Sequence, residues 1–181
     1  MKKTILIFLI IISVIFVFTG CKKEEGPEIA GIVLEVSESG GFRVQVIGGY
    51  AEDLMQVHLD KKIKYEEGVD EIIKAGNAVG FIITGDVAES YPVQVTATKI
   101  LWNEPVITGK VLSAGPTSLL IEVIEGFDGK LMQVHITEES MFYSNIPDLL
   151  EKGKNVGFTI TGEIMESDPV QVFAKRFVTY E

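Results

Sequence analysis

The chain has very few of the side chains from which covalent and metal chemistry is built. It holds one cysteine, Cys21, so no disulfide can form within it. It holds two histidines, His58 and His135, in no His-x-x-His or His-Glu-x-x-His spacing, whereas a zinc site takes three or four protein ligands. Gly85 and Gly162 follow apolar runs, but no glycine-rich phosphate loop or Lys-Ser/Thr pair accompanies them. Ser90 and Ser167 stand beside acids, yet neither lies in a Gly-x-Ser-x-Gly elbow and no histidine is near in sequence. There is no Asp-x-Asp-x-Asp-Gly run for calcium. These absences predict no catalytic residue, no metal and no cofactor. Basic residues are also in the minority: 16 Lys and Arg against 26 Asp and Glu leave a net charge of −10. Such a surface repels phosphate backbones, so nucleic acid is excluded as an expected partner. Cationic ligands or basic protein surfaces are favoured, although acidity also serves solubility alone.

The N-terminus departs from this pattern. Lys2 and Lys3 precede an apolar run over residues 5–18, broken only by Ser13 and closed by Thr19-Gly20-Cys21. Residues 1–20 read as a secretory signal, too short for a comfortable span, and are set aside from the fold. Small residues directly before a lone cysteine resemble the bacterial lipobox, with Phe18 where leucine is commoner. The resemblance implies cleavage before Cys21, lipidation of its sulfur, and a folded part held at the extracytoplasmic face of the cell membrane. An uncleaved apolar anchor is the alternative and gives the same location. Loss of Lys2 and Lys3 takes the net charge from −10 to −12. Residues 21–28, charged and containing Gly26-Pro27, read as the lipidated cysteine and a tether.

Beyond residue 28 the chain repeats itself. Leu54-Met55-Gln56-Val57-His58, Gly80-Phe81 and Pro92-Val93-Gln94-Val95 recur 77 positions later as Leu131-Met132-Gln133-Val134-His135, Gly157-Phe158 and Pro169-Val170-Gln171-Val172. Over 54–100 against 131–177 the two copies align without a gap, and 19 of 47 pairs are identical. One module has been duplicated. The boundaries are set at 29–101 for module 1, 102–105 for a linker and 106–181 for module 2. So short a linker forces the modules together and buries Trp102 between them.

Within each module the pattern is mainly β. Residues 29–36 and 42–46 flank a Ser39-Gly40-Gly41 turn, and 54–59 alternates with Met55, Val57 and Leu59 on one side and Gln56 and His58 on the other. Val69, Ile72, Ile73 and Gly76 then suit a two-turn helix, matched in module 2 by residues 147–152 with Asn145 as N-cap and Gly153 as stop. Strands at 79–84 and 93–100 follow, joined through the turn formers of 85–92. Three strands, a short helix and two strands predict two tandem five-stranded OB-like barrels, each with a helix between strands three and four. Phe42, Phe81, Phe158, Tyr65 and Phe142 are expected in or at the edge of the cores.

The ending of each module, Glu89-Ser90-Tyr91-Pro92-Val93-Gln94-Val95-Thr96-Ala97 and Glu166-Ser167-Asp168-Pro169-Val170-Gln171-Val172-Phe173-Ala174, resembles the YobA-like family of small Gram-positive lipoproteins and secreted proteins. Module 2 departs from the pattern at Asp168 and Phe177. The resemblance covers about half of each module and implies a small surface β-barrel of unknown function, with no catalytic residues to carry over.

The candidate binding face is the polar side of the alternating strands: Gln56, His58 and Gln94 in module 1 and Gln133, His135 and Gln171 in module 2. In OB barrels such a face carries the ligand groove, whereas plain solvation of a half-buried strand explains the same pattern. Asp86, Glu89, Glu163 and Glu166 offer oxygens for a cation, but the glutamate and serine before each proline are expected to bind loop N–H groups instead. The sequence thus points to a non-catalytic surface binding module for an unknown protein or small ligand. An enzyme using His58 or His135 with nearby acids, and a structural envelope component, are the alternatives.

Overall fold

The computed structural model describes residues 28–84, 87–88, 90–143 and 150–178. The signal, Cys21 and most of the tether lie outside the described residues. Among these residues are eleven strands and no α-helix. They are β1 (Glu28–Val36), β2 (Phe42–Gly48), β3 (Leu54–Tyr65), β4 (Asn77–Ile83), β5 (Val93–Pro105), β6 (Ile107–Ala114), β7 (Ser118–Glu125), β8 (Leu131–His135), β9 (Met141–Phe142), β10 (Asn155–Met165) and β11 (Val170–Val178).

Two sheets result. The first closes into a barrel in the order β1-β2-β3-β5-β4. The second has the order β10-β6-β7-β8-β11-β9, and a further pairing of β10 with β11 closes the same ring. The duplication extends to register: β3 runs parallel to β5 with Met55 opposite Val93, and β8 runs parallel to β11 with Met132 opposite Val170. The far end of β3, with Lys64 opposite Lys99, is matched by β9, with Met141 opposite Arg176.

Alternation sets what fills each ring. Met55, Val57, Met132 and Val134 are fully buried, while their neighbours Gln56, His58, Gln133 and His135 face outward. Phe42 meets Phe81 edge-on at 5.8 Å in the first core, and Phe158 meets Phe177 at 6.1 Å in the second. Each such side chain contributes on the order of 1.5–3 kcal/mol by leaving water, and a one-residue slip would turn all of them outward. Tyr65 is half-buried and Phe142 is 44% exposed, so these two sit at the edge. Gly49 and Gly126 mark the same turn in both modules, with φ of +83° and +87°; a Cβ there would lie 2.0 Å from the Glu28 carbonyl oxygen or 2.3 Å from that of Val106. Only glycine fits such a position.

Three sequence expectations are corrected. Residues 66–76 form turns and irregular chain rather than a helix. The Asn103 amide donates to the carbonyls of Asp70 and Ile72 at 2.9 and 3.0 Å, and Asp70 Oδ1 accepts from the Ile72 N–H, so groups a helix needs are engaged elsewhere. Too few residues are present to nucleate a helix against that competition. Ile73 is buried and Val69 packs on the same core, so the segment covers the barrel as a loop. Residues 147–149 of its counterpart lie outside the described residues; Gly76 and Gly153 nonetheless donate to equivalent carbonyls of Val33 and Val111 at 2.8 and 2.7 Å.

Residues 102–105 are not a linker. They complete β5, pairing with β4 from Gly80 opposite Trp102 to Asn77 opposite Pro105. The Trp-Asn-Glu-Pro composition reads as loop, but the first half of β4 has open backbone groups that this segment satisfies. Glu28, assigned to the tether, is the first residue of β1.

Candidate functional site: two strand faces and the junction

Because β3 and β5 are parallel, Gln56 lies directly opposite Gln94, and Gln133 lies opposite Gln171 in module 2. His58 and His135 follow two residues on along the same faces, so each ring carries one Gln-Gln-His cluster. His58 Nε2 is 3.3 Å from Gln94 Oε1, and His135 Nε2 is 2.9 Å from Gln171 Oε1. The amide nitrogen of Gln94 donates to Ser90 Oγ at 3.4 Å, and that of Gln171 to Ser167 Oγ at 3.2 Å. Ser90 Oγ donates to the Pro92 carbonyl at 2.8 Å, and Ser167 Oγ to the Pro169 carbonyl at 2.7 Å. Both prolines follow cis peptide bonds.

The direction of these chains follows from what each atom can do. A carbonyl only accepts, so the serine proton points to the proline carbonyl and the serine oxygen accepts from the glutamine amide. The glutamine oxygen then faces the imidazole and takes a proton from Nε2. Among the described residues no base is hydrogen-bonded to either serine, and glutamine cannot serve as one. The serines do fix the hairpins, but as donors to carbonyls rather than as acceptors from N–H groups. Glu89 and Asp86 lie outside the described residues. Gln56 donates to the Phe42 carbonyl at 3.3 Å, and His135 additionally stacks near Phe173 with centroids 5.3 Å apart.

The two faces do not meet. Each hydrogen-bonded chain closes within its own module, and neither histidine lines the cleft of about 600 Å³ between the modules, which Ile32, Gln45, Asn77, Thr108 and Glu125 help to form. Among the described residues no three of His, Cys, Asp and Glu converge to hold a metal ion.

The modules are joined through residues that the sequence reading did not assign, Trp102 apart. Trp102 is 5% exposed, with Arg176 over its ring at 4.5 Å and Tyr143 beside it at 5.4 Å. Its indole N–H and the Tyr143 hydroxyl both donate to Glu28 Oε1, at 3.2 and 3.1 Å. Glu104 accepts from Thr159 at 2.7 Å, Lys175 at 2.6 Å and Arg176 at 2.6 and 2.7 Å. Burial pushes the Glu104 carboxyl upward, but the hydrogen bonds from Lys175 and Thr159 and the Arg176 charge outweigh it and hold it below the usual carboxylate range. Burial and the nearby Glu28 charge raise the Tyr143 hydroxyl above its ordinary value. The one available sequence signal was the single tryptophan at the module boundary.

No family model matches the chain, and no curated protein is similar to it at a meaningful level.

Proposed function

We propose that the protein is a lipid-anchored, extracytoplasmic lipoprotein, held through Cys21, whose tandem OB-like barrels act as a non-catalytic binding module. The observation that carries this reading is the twofold occurrence of one closed donor chain, His to Gln to Ser to carbonyl, which fixes the same outward Gln-Gln-His face on each barrel. In that arrangement the imidazoles and the glutamine amides form a pre-set pattern of hydrogen-bonding groups. Preorganised polar groups of this kind suit recognition of an uncharged or cationic partner on an acidic protein. The strand order 1-2-3-5-4, closed in both sheets, supports the OB-like assignment even though a loop replaces the helix of module 1. The repeated Glu-Ser-x-Pro-Val-Gln-Val endings support kinship with YobA-like lipoproteins.

The test places a photo-crosslinking amino acid at position 58 or 135 of the full chain in cells, with exposed Lys110 on β6 as control. Capture from 58 and 135 but not from 110 is expected. Equal capture at all three, or none at 58 and 135, overturns the reading. Labelled fatty acid entering the wild-type chain but not Cys21→Ala checks the anchor separately.

A further inference from the structure

Module 1 carries a further concave site beside its polar strand face. It opens at the mouth of the first barrel, between the β2–β3 turn and the hairpin into β5, with a volume of about 590 Å³. Tyr50, Glu52, Val87, Ser90, Tyr91 and Val93 line it. Tyr50 and Val87 pack on the barrel core, so one aromatic wall is held in place. Tyr91 stands 83% exposed at the rim, which leaves a large ring facing water with no packing role of its own. The Ser90 hydroxyl is already engaged, donating to Pro92 and accepting from Gln94. Among the described residues the lining side chains therefore offer two phenol rings and one carboxylate, and no lysine, arginine or histidine.

We infer that this pocket binds a small organic cation of the ammonium class. Tyrosine faces attract an ammonium group, Glu52 adds a full negative charge, and apolar Val87 and Val93 suit the alkyl groups around the nitrogen. An anion finds only repulsion there. The 77-residue repeat supplies the internal contrast: Phe127, Gly129 and Asp168 stand in module 2 where Tyr50, Glu52 and Tyr91 stand in module 1. The second copy thus has glycine in place of Glu52, and a carboxylate in place of the rim ring. The pocket is separate from the Gln and His face and touches it only through Ser90, so either can fail without the other.

The full chain in a non-ionic detergent, with ring-labelled tyrosine, is titrated at constant ionic strength with choline and with 3,3-dimethylbutan-1-ol, which keeps choline's shape without its charge. Saturable shifts at Tyr50 and Tyr91, with Tyr65 and Tyr143 unmoved, are expected at roughly millimolar affinity, and the neutral isostere binds at least about tenfold more weakly. Glu52→Gln and Tyr91→Ala each weaken choline by about threefold or more, while Tyr50→Phe, which keeps the ring, retains it. Equal binding of the isostere, absence of saturation, equal shifts at Tyr65 and Tyr143, or indifference to both weakening variants overturns the inference. The source of the cation is read by repeating the measurement in phosphatidylcholine and phosphatidylglycerol nanodiscs: shifts in the former alone assign a lipid headgroup, and shifts only on adding choline assign a free ligand.

Discussion

The two modules share their interiors and differ at their ends. Module 1 closes with β5, a strand of 13 residues whose last four pair with β4 and carry Trp102, Asn103 and Glu104. Module 2 closes with β11, of 9 residues, which presents Lys175 and Arg176 to receive them. Arg176 aligns with Lys99, which in module 1 pairs with Glu66 at the surface. One ancestral cation has thus become a surface pair in one copy and the centre of a junction in the other. What duplication left alike is the packing and the donor chain behind each hairpin. What it let diverge includes the side chains of the junction, Trp102, Glu104, Tyr143 and Arg176.

The largest expected effect tests that divergence. Glu104→Ala removes the carboxylate acceptor for Arg176, a side chain only 11% exposed, and leaves that charge with the Trp102 face and the Tyr143 hydroxyl. A loss of about 3 kcal/mol in urea unfolding is expected. Arg43→Ala breaks the exposed pair with Glu35 and is expected to cost below about 1 kcal/mol. Similar costs for the two would break the comparison.

A glycine pair sharpens it. Gly80→Ala would set a Cβ 2.1 Å from the Trp102 ring nitrogen, whereas Gly157→Ala meets a single γ-methyl of Val178 at 2.9 Å. The first is expected to cost about 2–3 kcal/mol and to shift the emission of the sole tryptophan; the second costs about 1 kcal/mol. An unshifted Trp102 emission in Gly80→Ala would contradict the packing described.

Acid separates the junction from the cores. Glu104 is held below its ordinary value, so its contribution is complete above about pH 4.5, the unfolded value, and is lost as pH falls through the lower folded one. Trp102 emission should move to the red in that window, before secondary structure is lost by circular dichroism. Coincident transitions would show that the junction does not titrate independently.

The smallest effect compares the two faces. His135, half-buried, bonded at 2.9 Å and stacked near Phe173, should lose about 1 kcal/mol on change to alanine. His58, exposed and bonded at 3.3 Å, should lose only a few tenths. The reverse order in thermal unfolding would refute the geometry.

The interiors were legible because alternation and duplication are local signals: Met55, Val57, Met132 and Val134 read as buried and are. The opposition of Gln56 with Gln94 was not legible, since parallel register depends on how strands 38 positions apart meet. The short helix of module 1 was misread because apolar spacing at 69–73 records only which side chains turn inward. What overrides it is Asn103, an amide some thirty residues downstream. Residues 102–105 were misread for the same reason, their composition resembling a loop while their backbone answers the open edge of β4. The pocket at the mouth of the first barrel was likewise hidden, because Tyr50 and Tyr91 are brought together only by closure of the ring.

Glu28 stands where the chain enters the first barrel, and its carboxylate grips Trp102 of one module and Tyr143 of the other. A tug arriving from upstream therefore loads both barrels together instead of peeling β1 away first. Under tension the pair should respond as one mechanical body.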